Sequence, residues 1–243
     1  MPRADRLAFL LALLGLAAGA AFGQERGAPD PGDVAARVLT LTNEFRSHEK
    51  RGKVVVNQRL AAAARDFAAY MASTGQFSHE AGGTTPVDRA RRHGYDHCIV
   101  LENIAYRYSS AGFATRELAQ GMVEGWEKSP GHRRNMLDAD VTEIGIGIAR
   151  GKPGHYYAVQ MFGRPASQAI RFEVINRANA PIRYGVGGKG FSLGPRQTRA
   201  HMQCRTEKLE FDWPGEQRDA AVTPKNGDRF TVVRSGSGFS LSR

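Results

Sequence analysis

The sequence predicts an α+β protein in two parts, a layered sandwich of helices and strands followed by a small all-β domain. Three observations lead there. Apolar residues recur at three- and four-residue steps in successive segments up to Lys128. Glu143-Ile144-Gly145-Ile146-Gly147-Ile148-Ala149 then alternates strictly, and a turn at 150–154 leads to a second strand from His155 to Phe162. From Ala169 onward only short alternating runs remain, separated by closely spaced turn residues.

After a Gly/Pro-rich joint, Asp33 is placed to cap a helix whose Val34, Val38, Leu41 and Phe45 form one stripe to about Ser47. Val54-Val55-Val56 is short and extended. Asn57 caps a second helix, Gln58 to about Thr74, ended by Gly75. Thr85 and Pro86 start a third, which closes at His93-Gly94. Residues 95–100 read as irregular or extended and lead into Leu101-Glu102-Asn103-Ile104-Ala105. A fourth helix, about Phe113 to Lys128, carries Leu118, Met122 and Trp126 on one stripe and delivers the chain to Ser129-Pro130-Gly131-His132. Ser129 reads as an N-cap with Pro130 first, so His132 falls in the first turn of a short helix. Unpaired N–H groups there disfavour an imidazolium. The expected division is 1–23 signal peptide, 24–32 linker, 33–165 first domain and 166–243 a β-sandwich-like module.

The start of the chain has Arg3 and Arg6, an apolar run from Leu7 to Phe22, and small residues at Ala21 and Gly23. This is the pattern of a cleaved export signal and places the protein in the periplasm or outside the cell; an uncleaved N-terminal anchor is the alternative. No later segment is apolar enough to span a membrane. Cys98 and Cys204 are the two cysteines, and in an exported chain they form either one bridge or two buried thiols. The formal charge is +10. Residues 167–243 hold thirteen Lys and Arg against seven Asp and Glu, a balance that draws a protein to anionic surface polymers or lipid head groups. The arginines are scattered, which fits a solvated face, and nothing points to specific nucleic-acid binding. Gly185-Val186-Gly187-Gly188-Lys189-Gly190 lacks the Ser/Thr and the following helix of a phosphate loop.

His79, Glu102 and His132 stand at breaks between elements, where side chains converge on a cleft. Two imidazoles and a carboxylate are ligands for zinc or another divalent cation, which would activate water. Ser129 and His132 can also be written as nucleophile and base with Glu102 orienting the ring, although capping alone explains Ser129. Arg133 and Arg134 are candidate anion contacts. His93, His97, His155 and His201 have no evident partners.

Several motifs occur in a fixed order: Asn43 and Arg46; Leu60, Ala64 and Ala68; Phe77-Ser78-His79; Asp88-Arg89 with Gly94-Tyr95; Glu102-Asn103-Ile104; Trp126 with Ser129-Pro130-Gly131-His132-Arg133 and Asn135-Met136-Leu137; Ile144-Gly145-Ile146-Gly147; and Tyr157, Val159, Gln160, Phe162, Gly163. Together they resemble the bacterial branch of the CAP superfamily, or SCP domain, over roughly Val38 to Arg164. The resemblance implies an α-β-α sandwich whose cleft gathers two histidines and two acids around a divalent ion. His79, Glu102 and His132 match three of those four positions, and the fourth, an acid in many members, is Ser129 here. One acid fewer makes the site less charged. The expected function is therefore an exported, non-enzymatic module that binds an unidentified ligand or divalent ion in its cleft, with a basic β tail for a partner or surface polymer. A metal-assisted hydrolase using His79, Glu102 and His132 is the alternative.

Overall fold

The computed structural model describes residues 28–213 and 220–243. The expected signal segment, 1–23, and the start of the joint after it lie outside the described residues. The first helix, α1 (Pro31–His48), begins two residues earlier than its expected cap. Pro31 occupies the first turn, and the side chain of Asp30, not Asp33, accepts the free N–H, that of Asp33 itself. A short strand β1 (Val55–Val56) leads to α2 (Gln58–Thr74), where Asn57 accepts from the N–H groups of Arg59 and Leu60, and Gly75 closes the helix at φ 74°. The third helix, α3 (Pro86–Arg92), opens on a reciprocal Thr85–Asp88 capping box.

Residues 97–108 then form a single long strand, β2 (His97–Tyr108), which settles the irregular or extended reading of 97–100 as extended and carries it on through Tyr108. Helices α4 (Thr115–Lys128) and α5 (Pro130–Met136) follow, and the hairpin β3 (Glu143–Arg150) and β4 (His155–Pro165) completes a sheet of order β1-β3-β4-β2. β1 runs parallel to β3 and the other pairs are antiparallel.

Alternation along β3 separates the two faces of this sheet. Ile144, Ile146 and Ile148 pack with Val34 and Val38 of α1, Leu118, Met122 and Trp126 of α4, and Met136 of α5. Ile104, Val159 and Met161 pack on the opposite side with Leu60, Ala64, Phe67 and Ala68 of α2. The result is a three-layer α-β-α sandwich. A Cβ at Gly145 would collide with the backbone of Leu60 and Ala61, and one at Gly147 with that of Ala64 and Arg65. The two glycines let α2 lie directly on the strand.

The remainder is all β: β5 (Ile170–Asn176), β6 (Ile182–Val186), β7 (Lys189–Leu193), β8 (Thr198–Gln203), β9 (Leu209–Asp212), β10 (Ala220–Val222), β11 (Arg229–Ser235) and β12 (Gly238–Ser242). They form two four-stranded sheets, β10-β9-β6-β7 and β12-β11-β5-β8, around Phe172, Val174, Tyr184, Phe211, Phe230 and Val232. The glycine-rich stretch is the β6–β7 hairpin, turning at Gly187 and Gly188 with φ 55° and 76°. Cys98 and Cys204 are bonded, with Cα atoms 5.2 Å apart, so the open question of their pairing resolves to a bridge between β2 and the loop after β8.

Gly145→Ala is expected to lower unfolding stability by at least about 1–3 kcal/mol, because helix backbone has to move. The control is Gly52→Ala, where nothing lies within 4 Å of the added methyl. Equal midpoints for the two variants in urea unfolding would show that α2 does not need the contact.

Candidate functional site

β2 is the edge strand beside β4, and its adjacent residues Glu102 and Asn103 project to opposite faces of the sheet. Each organises one wall of the cleft. On the α2 and α3 side, the Glu102 side chain is only 1% exposed, yet its charge is matched. Arg89 of α3 donates through one terminal nitrogen to both oxygens, at 2.8 and 2.7 Å. The same guanidinium donates to the carbonyls of Thr84 and His79, at 2.6 and 3.0 Å, and lies 3.5 Å above the centre of the Phe67 ring. Arg89 thus ties the end of the His79 loop to the sheet.

His79 completes this wall. Its Nδ1 lies 2.8 Å from Glu102 Oε1. A carboxylate paired with a guanidinium accepts only, so Nδ1 carries the hydrogen and the other ring nitrogen, Nε2, is left as the acceptor of the neutral ring. The imidazole is 45% exposed and so is open to solvent.

On the other side, Asn103 anchors α5. Its amide donates to the His132 carbonyl at 3.2 Å and to Gln160 Oε1 at 2.9 Å, while its oxygen accepts from Asn135 at 2.9 Å. Asn135 also donates to the Glu102 carbonyl, and Gln160 passes the chain of bonds on to Thr42 Oγ1 and so to the Val38 carbonyl. The fully buried Arg46 caps the far end of α5 by donating to Met136 O at 2.6 Å and Asp138 O at 3.1 Å. These bonds place His132 against His79, with ring centroids 6.2 Å apart. Burial, and then the neighbouring His79, hold the His132 imidazole below the ordinary histidine range.

Several expectations are corrected by this arrangement. Glu102 does not orient His132, because it is bonded to His79. Ser129 occupies the N-cap position of α5, but its hydroxyl makes no capping bond, and no hydrogen bond joins it to His132 among the described residues, so a Ser129–His132 nucleophile pair is not assembled. Glu102 is not a free metal ligand either. Both of its oxygens are engaged, and no group of three or more His, Cys, Asp or Glu is arranged to hold a metal ion among the described residues. His79, Glu102 and His132 are thus not gathered as three ligands in this arrangement. Arg133 is not an open anion contact, since it pairs with Glu49 at 3.0 Å and stacks on Phe45. His93, His155 and His201 do have partners: Asp66, the Tyr106 hydroxyl and the Tyr184 hydroxyl. Arg89 is the functional residue that sequence reasoning passed over, quoted only as part of a motif; its signal was an arginine on the inner stripe of a short helix.

A model of the CAP, or cysteine-rich secretory protein, family matches residues 39–162. Among curated proteins, the membrane protein YlbC of Bacillus subtilis is 32% identical over 115 residues, covering 47% of this chain and 31% of its own. YkwD of the same organism is 26% identical over 138 residues, covering 55% and 50%. The chain thus spans half or less of the length of these relatives. Among solved structures, an extracellular SCP-domain protein of Bacillus anthracis is 26% identical with TM-score 0.46, covering 55% of this chain and 41% of its own. An outer surface protein of Borrelia burgdorferi is 19% identical with TM-score 0.49, covering 56% and 96%.

Two outcomes test this wall. Arg89→Leu should cost about 3–5 kcal/mol by stranding the Glu102 charge, and Arg89→Leu/Glu102→Leu should recover much of that loss. Additive losses in denaturant titrations would refute a coupled pair. For His132 the unfolded chain takes up its proton more readily than the folded one. Its contribution to stability is therefore complete above the ordinary histidine range and is lost as pH falls through the folded-state value. His132→Gln should flatten that acid limb, measured as melting temperature against pH.

Proposed function

We propose, from the premise that this chain belongs to the CAP family, that it is an exported ligand-binding module whose cleft grips a polar ligand between His79 and His132. The observation that carries this reading is the state of the two rings. One imidazole has its hydrogen committed to Glu102, which Arg89 balances, and the other is held below the ordinary histidine range. In their neutral forms the two rings offer nitrogen lone pairs to a ligand's N–H or O–H groups. The His79 ring is held by Glu102 and the main chain of His132 by Asn103 before any ligand arrives, which lowers the ordering cost of binding.

Export is supported by the signal-like start of the chain and by the Cys98–Cys204 bridge, since such bonds persist in oxidising compartments. No helix among the described residues is long and apolar enough to cross a membrane. The β module's role as a polymer-binding tail is less well supported. Arg183, Arg229, Arg243 and Arg205 are paired with Asp212, Glu173, Asp228 and Asp138. A charge engaged in this way adds little to a basic docking field.

The test is calorimetric titration with zinc, beside melting curves against a panel of saccharides, peptides and organic amines, for the wild type and His79→Ala/His132→Ala. The expected outcome is no tight stoichiometric zinc binding, and at least one polar ligand that raises the melting temperature of the wild type only. Tight zinc binding lost in the variant, with turnover of ester, peptide or polysaccharide substrates, would replace this reading with the hydrolase.

A further inference from the structure

We infer that the last turn of the edge strand, Ala105–Tyr108, together with Phe77 forms a docking strip for an extended peptide segment that adds to the sheet beside β2. The inference does not depend on what the cleft binds. It starts from the direction of the main chain. Ser109 N–H donates to Gly154 O at the end of the β2–β4 ladder, so the odd-numbered residues of β2 face β4 and the even-numbered ones face outward. Two outward carbonyls are engaged along the first part of the strand, whose start is flanked by the loop after β8. The disulfide at Cys98 holds the loop after β8 beside its start, Asn135 donates to the Glu102 carbonyl, and the Trp126 indole donates to the Ile104 carbonyl at 2.9 Å. That covering ends at Ile104. Among the described residues no strand, helix or side chain pairs with the outward main chain of Tyr106 or Tyr108.

A second observation falls on the same residues. Seven large apolar side chains are exposed among the described residues, and three of them, Phe77 (47%), Tyr106 (39%) and Tyr108 (56%), are gathered here. Phe77 leans on Tyr106 and on the buried Tyr157, with centroids 6.2 and 6.4 Å away, and His155 fixes the Tyr106 hydroxyl at 2.7 Å while packing 4.5 Å from the Tyr108 ring. The rings are therefore held in place by one another. Folded proteins blunt such edges with proline, a bulge or lysine, and Ala105-Tyr106-Arg107-Tyr108 has none of these. Arg107 offers no block, since its guanidinium lies over Gly121 of α4.

Main-chain donors and acceptors at a strand's spacing, beside exposed rings that take alternate side chains, are the chemistry that recognises a peptide backbone. A glycan or a lipid would use the rings and leave the Tyr106 amide idle. This difference makes the occupant testable.

The experiment displays a random library of twelve-residue peptides to the mature protein and measures the enriched peptides by calorimetry, beside copies N-methylated at alternate residues. Tyr106→Pro removes one outward N–H and is tolerated on an edge facing solvent. Phe77→Ala/Tyr108→Ala removes the rings and leaves the main chain intact. Enriched peptides are expected to lose about tenfold or more in affinity on one phase of N-methylation, on Tyr106→Pro and on the double alanine change, and to slow hydrogen exchange at the Tyr106 and Tyr108 amides. No enrichment above a control domain, or binding that survives both N-methylation and Tyr106→Pro, overturns the inference. Capture of glycans or of phosphatidylcholine vesicles that depends on the rings and not on the Tyr106 amide overturns it as well.

Discussion

The cleft depends on the alternation of one strand at two neighbouring residues. Because consecutive strand side chains point to opposite faces, Glu102 and Asn103 reach separate layers of the sandwich from adjacent positions. Glu102 gathers α3 and the His79 loop through Arg89, and Asn103 gathers α5 and, through Gln160 and Thr42, α1. Two histidines 53 positions apart in sequence are brought side by side, their rings tilted, by side chains that are neighbours in the chain. A one-residue slip of β2 against β4 would exchange the two roles and dismantle both walls at once.

The two halves of this arrangement stand on different energetic terms. The Arg89–Glu102 pair is nearly dry, and a dry ion pair gains little over an apolar pair of the same shape. Its value lies in position. It fixes the His79 tautomer and holds the loop that carries it, which a pair of leucines cannot do. The Asn103 side is neutral, and it too is justified by geometry. Every polar atom of that amide has a partner, so it rigidifies the core without a stranded group.

How much of this was readable follows from how local each signal is. Asn57 and Thr85 as caps, Gly75 as a stop and the β3–β4 hairpin rest on chemistry within a few residues, and each lies where the sequence placed it. The first helix was displaced only because Asp30 and Asp33 are both competent caps, and proline at 31 decides between them. β2 was legible only as a stretch before Leu101 that could be extended. Its polar Glu102-Asn103 pair breaks the apolar alternation that marks a strand, and the burial of both residues comes from partners 13 to 57 positions away. The grouping of His79, Glu102 and His132 was anticipated through the family motifs, but their roles were not. Arg89 and Glu102 meet across a loop and two elements, and no periodicity reports which carboxylate an arginine will find. Beyond Ala169 only short alternating runs were legible, and a strand such as β10, three residues at the edge of its sheet, carries little pattern of its own.

The β module bears on the cleft through a helix too short to stand by itself. α5 has seven residues, too few to be helical in isolation, and it carries both His132 and Asn135. Arg46 of α1 secures its last carbonyls, and the segment after it is seized by the module. Arg205 donates to Asp138 at 2.6 Å, and the Thr206 amide and hydroxyl both donate to Asp140, which Arg164 also meets. The disulfide one residue before Arg205 spans 106 positions, and in the chain-entropy account closing a loop of that length removes about 4–5 kcal/mol of freedom from the unfolded chain. Arg205 and Thr206 therefore reach Asp138 and Asp140 from a loop already tethered to β2, at little further entropic cost. The C-terminal module is in this sense part of the cleft's frame, and its contribution to any ligand held by His132 acts through the placement of α5.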